Sequence, residues 1–253
     1  MYEGDQRMGD IKIAVMSDTH ANLPALQVAV AAIRAEGYDA IYHLGDAIAI
    51  GPQPAECVEL LLETPNVMCL MGNHETYFTS GLPQPQPAWM SDGEVEHQHW
   101  TNKQLGAEVR QAMASWPYLL EREIEGVRTA LMHYALEPSG RKFRPIVRGP
   151  GVGDLDRLFE APEAEVVFYG HDHRVADVQG RARYVNPGSL GCQATPVACY
   201  CLVEFRAGRC QVQSRAVAYD DTTLFRAFEQ RQVPDRAFLY QAFFGGRFTG
   251  QDD

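Results

Sequence analysis

The chain has 253 residues, of which 45% are hydrophobic and 22% are charged, and these proportions are typical of a globular protein rather than a disordered one. Its 22 basic and 33 acidic side chains give a formal net charge of −11, which argues against a protein that binds long DNA or RNA through a phosphate-neutralising surface. No apolar run reaches the roughly 18 residues of a membrane span, and residues 1–10 lack the regions of a signal peptide, so we expect a cytoplasmic protein without membrane association.

The first part of the chain alternates between strand and helix patterns. We predict strands over residues 11–17, 40–44 and 66–71, with helices over residues 23–36 and 55–63 between them. Asn22 is a candidate N-cap of the first helix, and Gly37 can end that helix. The β-α-β-α-β order favours a parallel or mostly parallel sheet.

The later part of the chain is richer in strands. A loop with three alternating prolines covers residues 79–91, and a helix is predicted over 102–115. Further strands are predicted over residues 127–132, 165–169, 182–185, 199–205 and 211–217, which we expect to form a second sheet. No repeat or linker divides the chain, so we predict one domain over residues 1–253, with a Pro-rich, cap-like insertion at about 79–116 and a helical tail at about 220–253.

Five of the predicted strands are followed by side chains that can bind a metal ion. In chain order these are Asp18 and His20, Asp46, Asn73, His133, and His171 with His173. Because ligands of open α/β sheets bind at the carboxyl ends of the strands, these side chains are expected to converge. A single Gly-Asp pair is typical of a turn and a single histidine of a packed core, but coincidence at five successive strand ends is improbable. The set therefore predicts a metal site.

Seven ligands are enough for two metal ions. If one carboxylate bridges, each ion receives four protein ligands and keeps positions for water and substrate. Mixed imidazole and oxygen ligands favour manganese, iron or zinc over calcium. Two divalent cations outweigh two aspartates and one hydroxide, so this pocket would be locally positive inside an acidic protein. The negative total therefore does not argue against a small phosphoester ligand.

The motif order Asp-x-His, Gly-Asp, Gly-Asn-His-Glu, His, Gly-x-His-x-His strongly resembles the calcineurin-like metallophosphoesterase superfamily. Within it, Ser-Asp-Thr-His-Ala-Asn-Leu at 17–23 and Asn-Pro-Gly-Ser at 186–189 are similar to the small prokaryotic phosphodiesterase group. The resemblance covers about residues 11–205. It implies an α/β fold of two packed mixed sheets flanked by helices, an α/β/β/α sandwich, with a two-metal site between the sheet ends.

The resemblance also implies roles for individual residues. It places Asp18, His20, Asp46 and His173 at one metal ion, and Asn73, His133, His171 and the shared Asp46 at the other. His74 follows a ligand without being one, and its implied role is to stabilise or protonate the leaving oxygen. The implied reaction is phosphoester hydrolysis, in which a metal-bound hydroxide attacks phosphorus in line and manganese is the favoured metal.

Several functions remain open at this point. A phosphodiesterase acting on small nucleotide-type substrates is favoured, and a phosphomonoesterase or a dinucleoside polyphosphate hydrolase is the close alternative. A nuclease is disfavoured because the basic track expected for a strand is absent. A non-catalytic metal-binding or protein-interaction module is the alternative of another class, but His74 and all seven ligand positions are present.

Two segments depart from the phosphodiesterase group. After residues 186–189 its members often carry a Gly-Gln-Pro-Arg-like stretch, whereas this chain has Gly191-Cys192-Gln193-Ala194, so a substrate-side arginine is missing. Residues 45–52 also differ from the frequent Gly-Asp-x-x-Gly-Tyr-Gly-Pro pattern. Neither change falls on a predicted ligand, so they leave the reaction class unchanged and the substrate open.

Other polar residues give weaker signals. His43 lies within a strand and is expected to be structural. His97 and His99 are expected in a solvated loop, with a cap that contacts substrate as the alternative. The basic segment 141–148 is expected to be a solvated loop, with a clamp for a second phosphate or a nucleotide as the alternative.

Apolar residues outside the motifs carry two further expectations. The tail phenylalanines 243, 244 and 248 are expected to pack on the body of the protein, with a homodimer contact as the alternative. The six cysteines lie in apolar surroundings without C-x-x-C spacing and are expected to be buried free thiols; disulfides or redox chemistry are the alternative.

Overall fold

The computed structural model describes residues 10–248, so the first nine residues and the end of the predicted tail, 249–253, lie outside the described residues. The strands are β1 (Ile11–Met16), β2 (Ala40–His43), β3 (Val67–Cys69), β4 (Leu119–Ile124), β5 (Val127–Met132), β6 (Val166–Phe168), β7 (Ala176–Gln179), β8 (Arg183–Asn186), β9 (Val197–Arg206) and β10 (Arg209–Ala218). The helices are α1 (Leu23–Glu36), α2 (Pro54–Glu63), α3 (Asn73–Ser80), α4 (Asp92–Lys103), α5 (Ala107–Met113), α6 (Val152–Leu158), α7 (Thr222–Gln230) and α8 (Arg236–Phe243).

The first sheet has the strand order β10-β9-β1-β2-β3. The first three strands of the chain are parallel, as predicted, and α1 and α2 connect them. The helix cap is confirmed, because the Asn22 side chain accepts a hydrogen bond from Ala25 N at 3.1 Å. The expectation that all later strands form a second sheet is wrong for β9 and β10, since β9 pairs antiparallel with β1 and brings Phe205 opposite Ile11.

The second sheet has the order β4-β5-β6-β8-β7 and is also mixed. Its three central strands are parallel, and β4 and β7 add antiparallel edges. Neither edge strand was predicted. In β4 three consecutive charged residues, Glu121-Arg122-Glu123, are exposed and interrupt the apolar alternation, while β7 has only four residues.

The core confirms the predicted α/β/β/α sandwich. Apolar side chains of the two sheets pack against each other in the space between the sheets. They include Val15 and Leu44 from the first sheet and Leu131 and Phe168 from the second. Helices α1 and α2 cover the outer face of the first sheet, and α6 covers the second through Leu155. Within residues 10–248, each helix is too short or too polar to pass through a lipid bilayer.

The segment between β3 and β4 differs from its prediction. The single helix expected over 102–115 is replaced by α4 and α5, and α3 was not predicted. Helix α4 begins after Ser91, whose side chain accepts a hydrogen bond from Glu94 N at 3.0 Å. Its sequence, Asp-Gly-Glu-Val-Glu-His-Gln-His-Trp-Thr-Asn-Lys, has too few apolar residues to produce a helical hydrophobic pattern.

The tail packs on the helical side of the first sheet, as predicted for its phenylalanines. Phe244 is fully buried, and Phe225 stacks on Phe248 with ring centroids 5.4 Å apart. Before α8, Asp235 lies directly against Gly93 of α4, so the tail contacts the segment between β3 and β4. The cysteine prediction is also confirmed, since all six are free thiols and all but the half-buried Cys210 are buried.

Candidate metal centre

The carboxyl ends of five strands meet where the two sheets adjoin. β1, β2 and β3 contribute the segments that follow them from the first sheet, and β5 and β6 contribute theirs from the second. A parallel bridge between Ser17 and Ser189 joins the two sheets at this edge. The seven predicted ligands therefore converge, although Asn73 and His74 lie in the first turn of α3 rather than in a loop.

Most of these residues have a strained backbone. Left-handed φ angles occur at Asp18 (55°), His20 (48°), Asp46 (55°), His171 (72°) and His173 (62°). Each such conformation costs about 1–2 kcal/mol for a residue with a side chain. Backbone hydrogen bonds hold the turns in place, because Asp18 N donates to Gly45 O at 3.0 Å and His20 N donates to Asp46 O at 2.9 Å. Strain of this kind is characteristic of functional sites.

The first group of donor atoms surrounds the two imidazoles of His20 and His173. Their Nε2 atoms are 2.9 Å apart. Asp18 Oδ1 lies 3.7 Å from His20 Nε2 and 3.5 Å from His173 Nε2. Asp46 Oδ2 completes the group at 3.9 Å from His20 Nε2.

The second group of donor atoms surrounds His133. Its Nε2 lies 3.2 Å from Asn73 Oδ1, 3.1 Å from His171 Nδ1 and 3.2 Å from Asp46 Oδ2. The Asn73 amide presents its oxygen, the atom that can ligate a cation. The two groups have the same members as the two ligand sets that the family resemblance implies.

Asp46 links the two groups through one oxygen atom. Its Oδ1 accepts a hydrogen bond from His74 N at 3.0 Å, one of the amide groups that a helix leaves unpaired in its first turn. Its Oδ2 is the atom that faces both His20 and His133. The carboxylate is thus oriented so that a single oxygen lies between the two groups.

These donor atoms fit divalent metal ions. Metal–ligand bonds of about 2.1 Å place neighbouring ligand atoms about 3.0–3.4 Å apart, close to the spacings within both groups. Two oxygen atoms and one imidazole nitrogen surround the single Nε2 of His133, and one hydrogen on Nε2 cannot bond to all of them. A cation at the centre of each group would be bound by every one of these atoms.

The two carboxylates are held in the ionised form that binds metals. Burial opposes the charged form of Asp18, but His173 and the other neighbouring imidazoles outweigh it and keep the pKa of this carboxyl well below its usual range. Burial is likewise outweighed at Asp46, where His133 is the main cause of a pKa well below the usual value.

The imidazoles divide into two kinds. Burial, reinforced by His173, holds the pKa of His20 well below its usual value, and burial and His133 lower the pKa of His171 to about 3. At His133 burial acts in the same direction, but the Asp46 carboxylate raises its pKa to about 9. His20 and His171 are therefore neutral, as ligation requires, and the proton on His133 would have to leave when a metal binds.

Glu75 organises the loop that carries Asp46. Its Oε2 accepts hydrogen bonds from Asp46 N at 2.8 Å and Gly72 N at 2.9 Å, and its Oε1 accepts from Ala47 N at 2.8 Å and Ile48 N at 3.3 Å. Burial and the nearby Asp46 raise the pKa of this carboxyl to about 7. The sequence contained Glu75 within Gly-Asn-His-Glu, but its role depends on a contact 29 positions away and was not predicted.

His74 lies beside both donor groups and contacts the insertion. A ring nitrogen of His74 lies within 4.8 Å of ligand atoms of His20 and Asp46. Its Nδ1 lies 2.9 Å from Gln98 Oε1 in α4, and Gln98 Nε2 donates to Asn102 Oδ1 at 3.0 Å. Gln98 is buried and was not predicted, because it lies in the helix that the sequence pattern did not reveal.

The other histidines have distinct environments. His43 is structural, as predicted, with its Nε2 2.8 Å from Thr19 Oγ1. The expected solvated loop is wrong for His97, which lies buried in α4 and accepts a hydrogen bond from Ile50 N at 2.7 Å. His99 is exposed on the same helix.

Within the basic segment, Arg144 is engaged by the protein itself. Its guanidinium donates to Leu136 O at 3.1 Å, Arg157 O at 3.1 Å and Glu160 Oε1 at 3.0 Å. Arg141, Lys142 and Arg148 are exposed, as expected for a solvated loop.

Aromatic side chains flank the centre on both sides. The Phe143 ring lies 5.4 Å from the His133 ring and 5.7 Å from that of Tyr118. On the opposite side, Phe243 of α8 lies 6.1 Å from the His173 ring. The basic segment 141–148 and the tail therefore both reach the candidate centre.

Residues 11–208 match the sequence model of the calcineurin-like phosphoesterase superfamily domain. The chain belongs to this superfamily. The resemblance in motif order is thereby confirmed, and membership of this divalent-metal-dependent family supports a phosphoester hydrolase.

Relatives of this calcineurin-like protein include an uncharacterized protein of Methanocaldococcus jannaschii, 25% identical over 253 residues that cover 93% of this chain and 98% of the relative. The crystal structure of a metallophosphoesterase from Sphaerobacter thermophilus is similar with a TM-score of 0.68 and 26% identity, covering 89% of this chain and 96% of the other. A hypothetical protein from Pyrococcus horikoshii OT3 shares the fold, with a TM-score of 0.75, 20% identity and coverage of 94% and 100%.

Proposed function

We propose that the protein is a two-metal phosphodiesterase that hydrolyses small nucleotide-type diesters. The observation that carries this proposal is the pair of donor groups joined through Asp46 Oδ2, with His74 beside them. The proposed ions are divalent manganese, iron or zinc. The proposed ligands are the seven strand-end residues, Asp18, His20, Asp46, Asn73, His133, His171 and His173.

The protein's part in the reaction is to orient the reacting groups. When bound, two divalent ions would polarise the phosphoryl group and make a water-derived nucleophile available at neutral pH. The backbone amide of His74 keeps Asp46 Oδ1 occupied, so Oδ2 stays directed between the two donor groups. The neutral Asn73 ligates without adding negative charge, which preserves the attraction for an anionic substrate.

His74 is the proposed catalytic residue. An amide oxygen can only accept a hydrogen bond, so Gln98 Oε1 fixes the proton on His74 Nδ1 and leaves Nε2 for the substrate. The bond from Gln98 Nε2 to Asn102 sets the orientation of this amide. In the imidazolium form, in which both ring nitrogens carry a proton, Nε2 would donate a hydrogen bond or a proton to the leaving oxygen, and the proton on Nδ1 would stay with Gln98 Oε1.

A diester fits the surroundings better than a monoester does. Arg144 is tied to Glu160 and two carbonyl groups, which disfavours it as a clamp for a second phosphate or for a doubly charged monoester. The positive charge would then come mainly from the ions, which suits the single negative charge of a diester. Phe143 beside His133, with Tyr118 next to it, offers aromatic surface on which a nucleobase can stack.

We also propose that the chain is one domain in which residues 79–116 form a cap over the centre. The contact of Gln98 with His74 supports this role for the insertion. Phe243 beside His173 supports a matching role for the tail. The contact between Asp235 and Gly93 connects these two segments.

Metal analysis combined with kinetics tests the proposal. The protein, reconstituted with divalent metals, should hold two ions per chain and hydrolyse bis(p-nitrophenyl) phosphate faster than p-nitrophenyl phosphate. His74→Ala should keep both ions and lose about 10²- to 10⁴-fold in turnover, the usual contribution of a general acid. The matched control is His99→Ala, which removes an exposed histidine from α4.

Three results would contradict parts of this proposal. Fewer than about one ion per chain after reconstitution, with no hydrolysis, would refute the enzyme itself. Unchanged turnover of His74→Ala would refute the assigned role of His74. Faster cleavage of the monoester would identify a phosphomonoesterase.

A further inference from the structure

We propose that Cys192 is a sulfur ligand of the first metal position, which makes this position selective for zinc, iron or cobalt over manganese. The inference rests on the proposed function, since it concerns the same centre, and it adds an eighth donor to the seven predicted from the strand ends. It also reverses the preference for manganese that the family resemblance implies.

The position of the thiol is the first observation. Cys192 Sγ and ring nitrogens of His20 and His173 all lie within 4.8 Å of one another. Ligand atoms around a zinc ion that holds both sulfur and nitrogen lie about 3.6 Å apart, so a shift of at most about 1.2 Å would complete the group. The departure from the Gly-Gln-Pro-Arg-like stretch therefore does concern the metal centre, although it falls on no predicted ligand.

Hydrogen bonds join the loop that carries Cys192 to the segment after β1 that carries Asp18. Leu190 N donates to Ser17 O at 2.9 Å, and Gly191 N donates to Asp18 O at 3.0 Å. Cys192 N donates to Ser189 Oγ at 2.8 Å. The thiol is therefore held at a defined distance from Asp18 instead of being carried by a separate surface loop.

His20 gives an independent reason to expect a ligand here. Its side chain is only 1% exposed, and its Nδ1 has no hydrogen-bond partner within residues 10–248. Its Nε2 lies 2.9 Å from a second imidazole nitrogen, that of His173. The buried His20 and the half-buried His173 at this separation are arranged as in a metal site, and the thiol lies within 4.8 Å of a ring nitrogen of each.

Comparison with the other cysteines supports the assignment. In the part of the chain that the structure describes, Cys192 is the cysteine that lies in a group with two further potential ligands. Cys57 is also buried and belongs to the same apolar core cluster as Cys192, but it lies in no such group of potential ligands. Burial of a thiol alone therefore does not account for the location of Cys192.

Coordination chemistry gives the consequence for metal choice. A cysteine binds a metal as the thiolate, so coordination forms a metal–sulfur bond and releases the thiol proton to solvent. Thiolates are soft ligands that favour zinc and iron, whereas manganese prefers carboxylate, carbonyl and water ligands. The second position contains only nitrogen and oxygen donors among its described groups and gains no such preference.

Cobalt substitution provides a readout other than activity. The protein reconstituted with Co²⁺ should show a sulfur-to-cobalt charge-transfer absorption in the near ultraviolet. Cys192→Ser should abolish this band, while Cys57→Ser, the matched buried control, should retain it. When Zn²⁺ and Mn²⁺ compete for the protein, the ratio of the affinity for zinc to that for manganese should be at least about tenfold lower in Cys192→Ser than in the unmodified protein.

The outcomes separate the inference from the proposed function. If cobalt binds but the band is absent, or if the band persists in Cys192→Ser, the thiol is a packing residue and the inference is wrong while the enzyme stands. If no metal binds to the unmodified protein, both fail. Because Cys192→Ser could weaken folding, Cys192→Ala and the unfolding midpoints of all variants are measured alongside. A lost band in a variant that unfolds like the unmodified protein supports ligation.

Discussion

Replacement of Glu75 by glutamine tests how the Asp46 loop is held. The carboxylate accepts four backbone hydrogen bonds, two at each oxygen. The amide nitrogen of glutamine cannot accept, so Glu75→Gln leaves two buried N–H groups without an acceptor. At about 1–3 kcal/mol for each unsatisfied donor, the free energy of unfolding should fall by roughly 2–6 kcal/mol.

The metal content changes the size of this effect. Burial and Asp46 raise the pKa of the Glu75 carboxyl from 4.5 to about 7, so in the metal-free protein its charge costs about 3 kcal/mol near neutral pH. The substitution removes this cost and thereby offsets part of the loss. Bound cations would compensate the same charge, so the full loss is expected only in the metal-loaded protein.

Urea-induced unfolding of both forms, followed by tryptophan fluorescence, measures the effect. Glu59→Gln, at an exposed position of α2, is the control and should change the free energy of unfolding by less than about 0.5 kcal/mol. A loss below about 1 kcal/mol for metal-loaded Glu75→Gln, or equal losses with and without metal, would refute the reasoning.

Two further predictions concern α4. Gln98→Leu removes the acceptor of His74 Nδ1 and should lower turnover at least about tenfold with both metals retained. Gln98→Glu keeps an acceptor and should have a turnover between those of Gln98→Leu and the unmodified protein. Equal turnover of all three proteins would exclude a positioning role of Gln98. Burial lowers the pKa of His97 from 6.5 to about 4, so the neutral ring stabilises the fold above pH 6.5 and this contribution is lost as the pH falls toward about 4. Unfolding at several pH values should show a loss of up to about 3 kcal/mol over this range, which His97→Asn should reduce; the same pH dependence in both proteins would contradict it.

The sequence predicted the centre better than its surroundings. The strand-end residues could be predicted because a β-α unit has a regular length, so Asp18, Asp46 and Asn73 recur at similar intervals and must meet at one edge. Glu75 and Gln98 could not be assigned, because each acts through a partner distant in the chain. Cys192 was seen as a departure from a family pattern, but its distance from two histidines exists only in the folded chain.

The same distinction explains the errors in the fold. Strands β9 and β10 have the expected strand pattern, but only the pairing of Phe205 with Ile11 assigns them to the first sheet. Local patterns do not contain that information. Helix α4 was missed for the opposite reason, since its own sequence is weakly helical and its order comes from contacts such as that of His97 with Ile50.

The central place of β1 has a consequence for how the protein acquires its fold. One edge of β1 pairs with β2, which follows it closely, but the other edge pairs with β9 almost two hundred residues later. During synthesis that apolar edge stays unpaired until most of the chain has left the ribosome. Contacts between residues so far apart in the chain form slowly, and until they form the unpaired strand edge is prone to aggregation. Ser17 and Asp18 extend from this strand and gain their partners Ser189 and Gly191 at the same late stage, so metal capture is expected to complete folding rather than to start it.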